Sequence, residues 1–232
     1  MTAITTIGFD ADDTLWQNER FFRLTEERFA ALLADYAEPA HLSERLLETE
    51  KQALSIYGFG TKGFVLSMVE TAISVTEGRV PAPVIAEILA AGRELMVYPI
   101  ETLPHVEETL AALAGNYRLV MITKGDLFDQ KRKLAQSGLG EMFDAIEIVS
   151  DKSPDTYARI FSRHGTGPGE AMMVGNSLRS DIVPAIDAGA WGTYVPHDLT
   201  WAYERVEAPA EAPRFRQIEH VGELVGLLQK IE

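Results

Sequence analysis

Ile7-Gly8-Phe9-Asp10-Ala11-Asp12-Asp13-Thr14-Leu15 decides the reading of this chain. The short apolar run near the N-terminus reads as a buried strand, and three carboxylates and a threonine stand at its end. Like charges crowded against a core repel one another and are poorly solvated, so packing alone would not choose them. A divalent cation would neutralise them, and hard cations prefer oxygen ligands. The stretch therefore reads as a site in preference to a solvated turn, although Asp is a turn residue as well.

The 232 residues allow one large domain or a core with a smaller insertion. Hydrophobic content of 46% beside 24% charged residues fits a globular protein with a sizeable core. A net charge of -14 opposes binding nucleic acid through a phosphate-neutralising face, but leaves room for a small phosphorylated substrate held by a metal and local cations. With no cysteine there is no disulfide, thiolate nucleophile or cysteine-metal site. Met1 to Thr6 lacks a basic region followed by a long apolar stretch, and no apolar run is long enough to span a bilayer. The expectation is a cytoplasmic protein without nucleic-acid or membrane partner, as a monomer or homodimer.

After Leu15 the pattern turns helical. Phe21, Phe22, Leu24, Phe29, Leu32, Leu33 and Tyr36 recur at helical spacing, and further helices are expected at about 43–57, 62–76 and 83–97. From Leu103 onward short apolar strands alternate with helices. Strands are expected at 118–123, 145–150, 171–175 and 191–195; helices at 106–113, 127–137, 155–164, 181–188 and 221–231. Tyr203 to Arg216, rich in Ala, Pro and Glu, reads as an irregular connection. This alternation predicts an α/β fold, a doubly wound parallel sheet covered on both faces. The core would comprise 1–16 and 98–232, with an all-helical cap, 17–97, inserted after the first strand.

Ligands of such a sheet bind at the carboxyl ends of its strands. Asp10 and Asp12 follow the first strand; Thr123, Lys124, Gly125 and Asp126 follow the second. Lys152 follows the third, and Gly175-Asn176-Ser177-Leu178-Arg179-Ser180-Asp181 the fourth. These residue types suit phosphoryl transfer. A carboxylate can attack phosphorus, dividing one hard displacement into two easier steps. A second carboxyl must protonate the leaving alcohol and then activate water. The charged nonbridging oxygens call for a metal, a lysine and oriented donors.

On these residues the chain resembles the haloacid dehalogenase-like hydrolase superfamily, of the phosphatase type with a helical cap and a Rossmann-like core. Its first motif is matched by Asp10 to Thr14, its second by Thr123, its third by Lys152 and its fourth by Gly175 to Asp181. The resemblance implies Asp10 as nucleophile and Asp12 as general acid/base. It implies Mg²⁺ held by Asp10, the carbonyl of Asp12 and Asp181. Thr123 would hydrogen-bond the phosphoryl group, with Lys152 offsetting its charge; Lys124 and Gly125 are further candidates for phosphate contact. Two positions depart from the family pattern. Asn176 stands where an aspartate is frequent, so it is a ligand candidate through its amide oxygen. Lys124 stands where an asparagine is frequent.

Asp13 and Thr14 read as loop-ordering residues, Ser177 and Ser180 as helix caps. The five histidines show no metal-ligand spacing, and Gly165 to Gly169 lacks the residues of a phosphate-cradling loop. Phe21 and Phe22 read as cap core, while Trp16 is open between core and pocket lining. The function so expected is a Mg²⁺-dependent phosphatase acting on a small phosphorylated metabolite through an aspartyl-phosphate. A 2-haloacid dehalogenase, a phosphomutase or a catalytically silent binding protein are the alternatives.

Overall fold

In the computed structural model, which describes residues 3–231, side chains of the central strands alternate between two apolar layers. Met1, Thr2 and Glu232, at the ends of the expected core segments, lie outside the described residues. Among the described residues there are six strands: β1 (Thr6–Phe9), β2 (Arg118–Lys124), β3 (Ala145–Val149), β4 (Ala171–Gly175), β5 (Trp191–Tyr194) and β6 (Phe215–Gln217). They form one sheet in the order β3-β2-β1-β4-β5-β6, and every neighbouring pair is parallel. That is the order of doubly wound sheets.

Leu119 and Met121 of β2, Ile7 and Phe9 of β1, and Met172 and Val174 of β4 join one core. Helices α5 (Val106–Leu113) and α9 (Leu224–Ile231) pack there through Leu110 and Leu228. Val120, Ile122 and Met173 face the opposite layer, formed by α7 (Pro154–His164) and α8 (Val183–Asp187). Both faces are thus covered, and the strands read as continuous apolar runs for that reason. Gly8 faces α7 with no room for a side chain, since a Cβ there would lie 2.8 Å from Ile122 Cδ1 and 3.2 Å from Phe161 Cε1.

The second compact unit comprises 18–99 together with 125–129, whereas sequence alone attached 125–129 to the core. It contains α1 (Glu19–Leu32), α2 (Pro39–Tyr57), α3 (Thr61–Val75) and α4 (Ala82–Leu95). Its own core gathers Phe21, Phe29, Leu33, Leu42, Leu46, Phe64, Met68 and Ile88, with Phe22 packed against it. Close approach of α3 and α4 depends on Gly92, where a Cβ would lie 2.3 Å from Val65 Cγ2. Residues 125–129 belong here through the Lys62–Asp126 ion pair at 2.9 Å and the Thr61 Oγ1–Asp129 hydrogen bond at 3.4 Å.

The structure corrects further expectations. A 3₁₀ turn, Ala202–Glu204, and β6 overlap the two ends of the stretch, 203–216, read as irregular. A three-residue edge strand is too short to carry a period. The helix expected over 181–188 begins earlier, as a π turn over Leu178–Ile182 that leads into α8. Hydrophobic spacing does not distinguish an i→i+5 ladder from an i→i+4 one over a single turn. The first helix stops at Leu32, short of Tyr36, and continues as turns. No described helix is long and apolar enough to cross a membrane.

Candidate active site

β1 lies between β2 and β4, with Phe9 level with Met121 and Val174. The Asp10 amide donates to the Val174 carbonyl at 2.9 Å, carrying the ladder one residue past β1. Asp10 thus follows directly on the carboxyl end of β1, and it is 7% exposed. Lys152, beyond β3, reaches the same point: its ammonium donates to Asp10 Oδ1 and, at 2.6 Å, to Asp181 Oδ1. Burial by itself would lower the Lys152 pKa, but Asp10 and Asp181 outweigh it and hold the amine well above the usual lysine range. Burial, with the charge of Asp181 second, pushes the Asp10 carboxyl up to about 7 in spite of Lys152. Thr123 is buried two residues beyond the level of Phe9.

The π turn brings Asp181 into place. Ser177 O accepts from the amides of Asp181 at 2.9 Å and Ile182 at 3.2 Å, and the Ser177 amide donates to Asp181 Oδ2 at 2.9 Å. The carboxylate then lies against the end of β4, where a Cβ on Gly175 would come within 2.3 Å of Asp181 Oδ2. Asn176 follows directly. With its amide nitrogen turned inward, it donates to the Asp12 carbonyl at 3.1 Å and to Asp10 Oδ2 and Thr14 Oγ1 at 3.2 Å. With the amide reversed, its oxygen would join Asp10 and the Asp12 carbonyl around one point.

That donor set suits a hard cation. Carboxylate, carbonyl and amide oxygens are what Mg²⁺ takes, and it completes its octahedron with water and substrate oxygens. Positive charge beside Asp10 would also favour the ionised form that burial opposes. Among the described residues no three His, Cys, Asp or Glu side chains group to hold a metal. The reason is that Asp12 offers this point only its carbonyl.

The Asp12 carboxylate points elsewhere. It accepts from Trp16 Nε1 at 2.7 Å, Gln130 Nε2 at 2.8 Å, and Lys133 Nζ at 2.9 and 3.1 Å. Burial would raise its pKa, but Lys133, Gln130 and Trp16 together outweigh burial, and the carboxyl lies below its ordinary value. Gln130 and Lys133 stand on α6 (Leu127–Ser137), three residues apart and so on one face. Gln130 Oε1 is buried with no hydrogen-bond partner among the described residues, which marks its amide nitrogen as the useful end. Trp16, with no exposed surface, is core and a hydrogen-bond donor, which settles its place against pocket lining. Asp13 adopts a left-handed turn, φ 61°, and Thr14 Oγ1 donates to Asp10 Oδ2 at 3.2 Å while accepting from the Asn176 amide at 3.1 Å. Both therefore order the loop.

Lys124 is held by a carboxylate and a hydroxyl of the neighbouring segments. Its amine donates to Glu204 Oε1 at 2.5 Å and Ser180 Oγ at 2.6 Å, so its charge is already matched. Gly125, at φ 140°, is the turn that leaves β2, and it falls within the helical unit. Sequence reading missed Trp16 as a donor, Gln130, Lys133 and Glu204. The spacing of Gln130 and Lys133 on one face of an expected helix was the available signal. Glu204 had none.

A family model described as haloacid dehalogenase-like hydrolase matches residues 4–189. The chain belongs to that family of hydrolases. It is 26% identical over 206 residues to a glyceraldehyde 3-phosphate phosphatase of Methanothermobacter thermautotrophicus, covering 86% of this chain and 88% of that one. It is 29% identical over 135 residues to the N-acylneuraminate-9-phosphatase of Mus musculus, covering 55% of this chain and spanning about half (52%) of that protein's length. A haloacid dehalogenase-like family hydrolase from Xanthomonas campestris superposes with a TM-score of 0.88 at 41% identity, over 99% of this chain and 92% of that chain.

Proposed function

We propose that the protein is a Mg²⁺-dependent phosphatase acting on a small phosphorylated metabolite. The observation that carries this reading is the buried Asp10–Lys152–Asp181 constellation at the carboxyl edge of the sheet, with Asp12 two residues from Asp10. The relatives named as phosphatases support it. Asp10 Oδ attacks phosphorus, and the bond from phosphorus to the ester oxygen breaks as the leaving alcohol takes a proton from Asp12. Water then attacks the phosphorus of the aspartyl-phosphate, gives its proton to Asp12, and releases phosphate with Asp10 restored.

Lys133, Gln130 and Trp16 hold the Asp12 carboxyl below its ordinary value in the free protein, so Asp12 must take up the proton it gives to the leaving alcohol when the anionic substrate binds, and water then returns a proton to it. Lys152 and Thr123 face the transferring oxygens, and Mg²⁺ held by Asp10, the Asp12 carbonyl, Asp181 and Asn176 would screen their charge. The helical unit is the proposed cap, the place of action the cytoplasm, and the state a monomer or homodimer. A dehalogenase has no use for a proton donor at Asp12, since halide leaves unprotonated.

Phosphate release from a panel of sugar phosphates, organic acid phosphates and nucleotides tests the reading. The wild-type protein with Mg²⁺ should turn over at least one class, Asp10→Asn should fall by at least ~10³-fold, and chelation should stop the reaction. Equal rates for wild type and Asp10→Asn would remove the proposed nucleophile.

A further inference from the structure

We propose that Glu204 is a positioning residue for the cation end of this site, neutralising Lys124 and fixing the Ser177–Ser180 turn so that Asp181 meets a divalent cation with no second ammonium competing beside it. The inference rests on the reading above in taking Asp10 and Asp181 as cation ligands.

Glu204 ends the 3₁₀ turn Ala202–Glu204, yet its side chain is only 11% exposed. A carboxylate loses several kcal/mol of hydration on burial unless partners replace it, so its place needs a cause. Its partners stand at the end of β2 and in the turn that follows β4. Oε1 accepts from Lys124; Oε2 accepts from Ser180 Oγ at 2.6 Å and from Ser177 Oγ. Ser177 Oγ in turn accepts from the Ser180 amide at 2.9 Å, and the Ser177 amide holds Asp181 Oδ2. Glu204 therefore stands one residue away from the hydrogen bond that orients Asp181. Tyr203 seats the same segment, its ring 4.1 Å from the Arg179 guanidinium of the π turn.

Charge acts at the same place. Asp10, Asp181 and Lys152 together leave one net negative charge for a cation. Lys124 Nζ lies 2.6 Å from the hydroxyl of Ser180, the residue before Asp181. Without Glu204 that ammonium would cancel the remaining charge in a poorly screened place.

Manganese binding to the full chain, followed by the paramagnetic resonance of free Mn²⁺, tests this without any substrate. Glu204→Gln should weaken binding about tenfold or more, with an unchanged circular dichroism spectrum. The double variant Lys124→Met/Glu204→Gln should recover to within about threefold of wild type, since both charges are then absent. Lys124→Met alone, with Glu204 intact, should bind Mn²⁺ as tightly as wild type or more so, and it carries the test if Glu204→Gln fails to fold. Unchanged binding in Glu204→Gln, a double variant as weak as the single, or weakened binding in Lys124→Met would each overturn the proposal. Wild-type Mn²⁺ binding without phosphate release would strike the phosphatase reading and leave this one standing.

Discussion

Lys133 and Gln130 reach Asp12 from one face of α6, and their effect is electrostatic before it is steric. A carboxyl depressed in the folded protein contributes stability above its unfolded pKa, and that contribution is lost as pH falls through the folded value. Asp12 is such a group, with Lys133 the chief reason its pKa lies below the ordinary 3.8. Lys133→Met should therefore cost about 1–3 kcal/mol at pH 7. The gap from wild type should narrow as pH drops below 3.8. Denaturant melts at pH 7 and pH 3 check this, and an equal gap at both would contradict it. Asp10, Asp12, Lys152 and Asp181 were legible because each follows an apolar run at a strand end. Lys133 and Glu204 were not, because their partners lie 121 and 80 residues away in the chain.

At the scale of the element, the Gly175–Ile182 segment shows how backbone places a ligand. A wide π turn carries Asp181 back onto the end of β4, and Gly175 leaves the space it occupies. Gly175→Ala would force a Cβ to within 2.3 Å of Asp181 Oδ2 and 2.7 Å of its Cβ. The expected result is a loss of about 1–3 kcal/mol in thermal or chemical melts, with weaker Mg²⁺ binding by calorimetry. Unaltered Mg²⁺ affinity would show that Asp181 does not need this seat. The motif was readable as residues, but not as a π turn. Its widening follows from which carbonyl each amide reaches, and neighbouring strands help decide that.

At the scale of the molecule, the chain builds three apolar cores, one on each face of the sheet and one among α1–α4. Met68 is fully buried in the helical core. Met68→Ala should lower hydrogen-exchange protection across α1–α4 by about 2–5 kcal/mol. Amides of β1, β2 and β4 should lose less, and equal loss throughout would argue for one cooperative unit.

Residue order alone determined that strands alternate with helices after Leu103, that a helical segment interrupts the core after the first strand, and that carboxylates and a lysine collect at strand ends. Those features follow from local periodicity and from the cost of crowding like charges beside apolar runs. Tertiary structure decided the rest: the edge strand β6, the pairing of Asp12 with Lys133, and the capture of Lys124 by Glu204. Such pairings depend on which distant segments meet, and a buried charge declares its partner only when the fold has removed water from both.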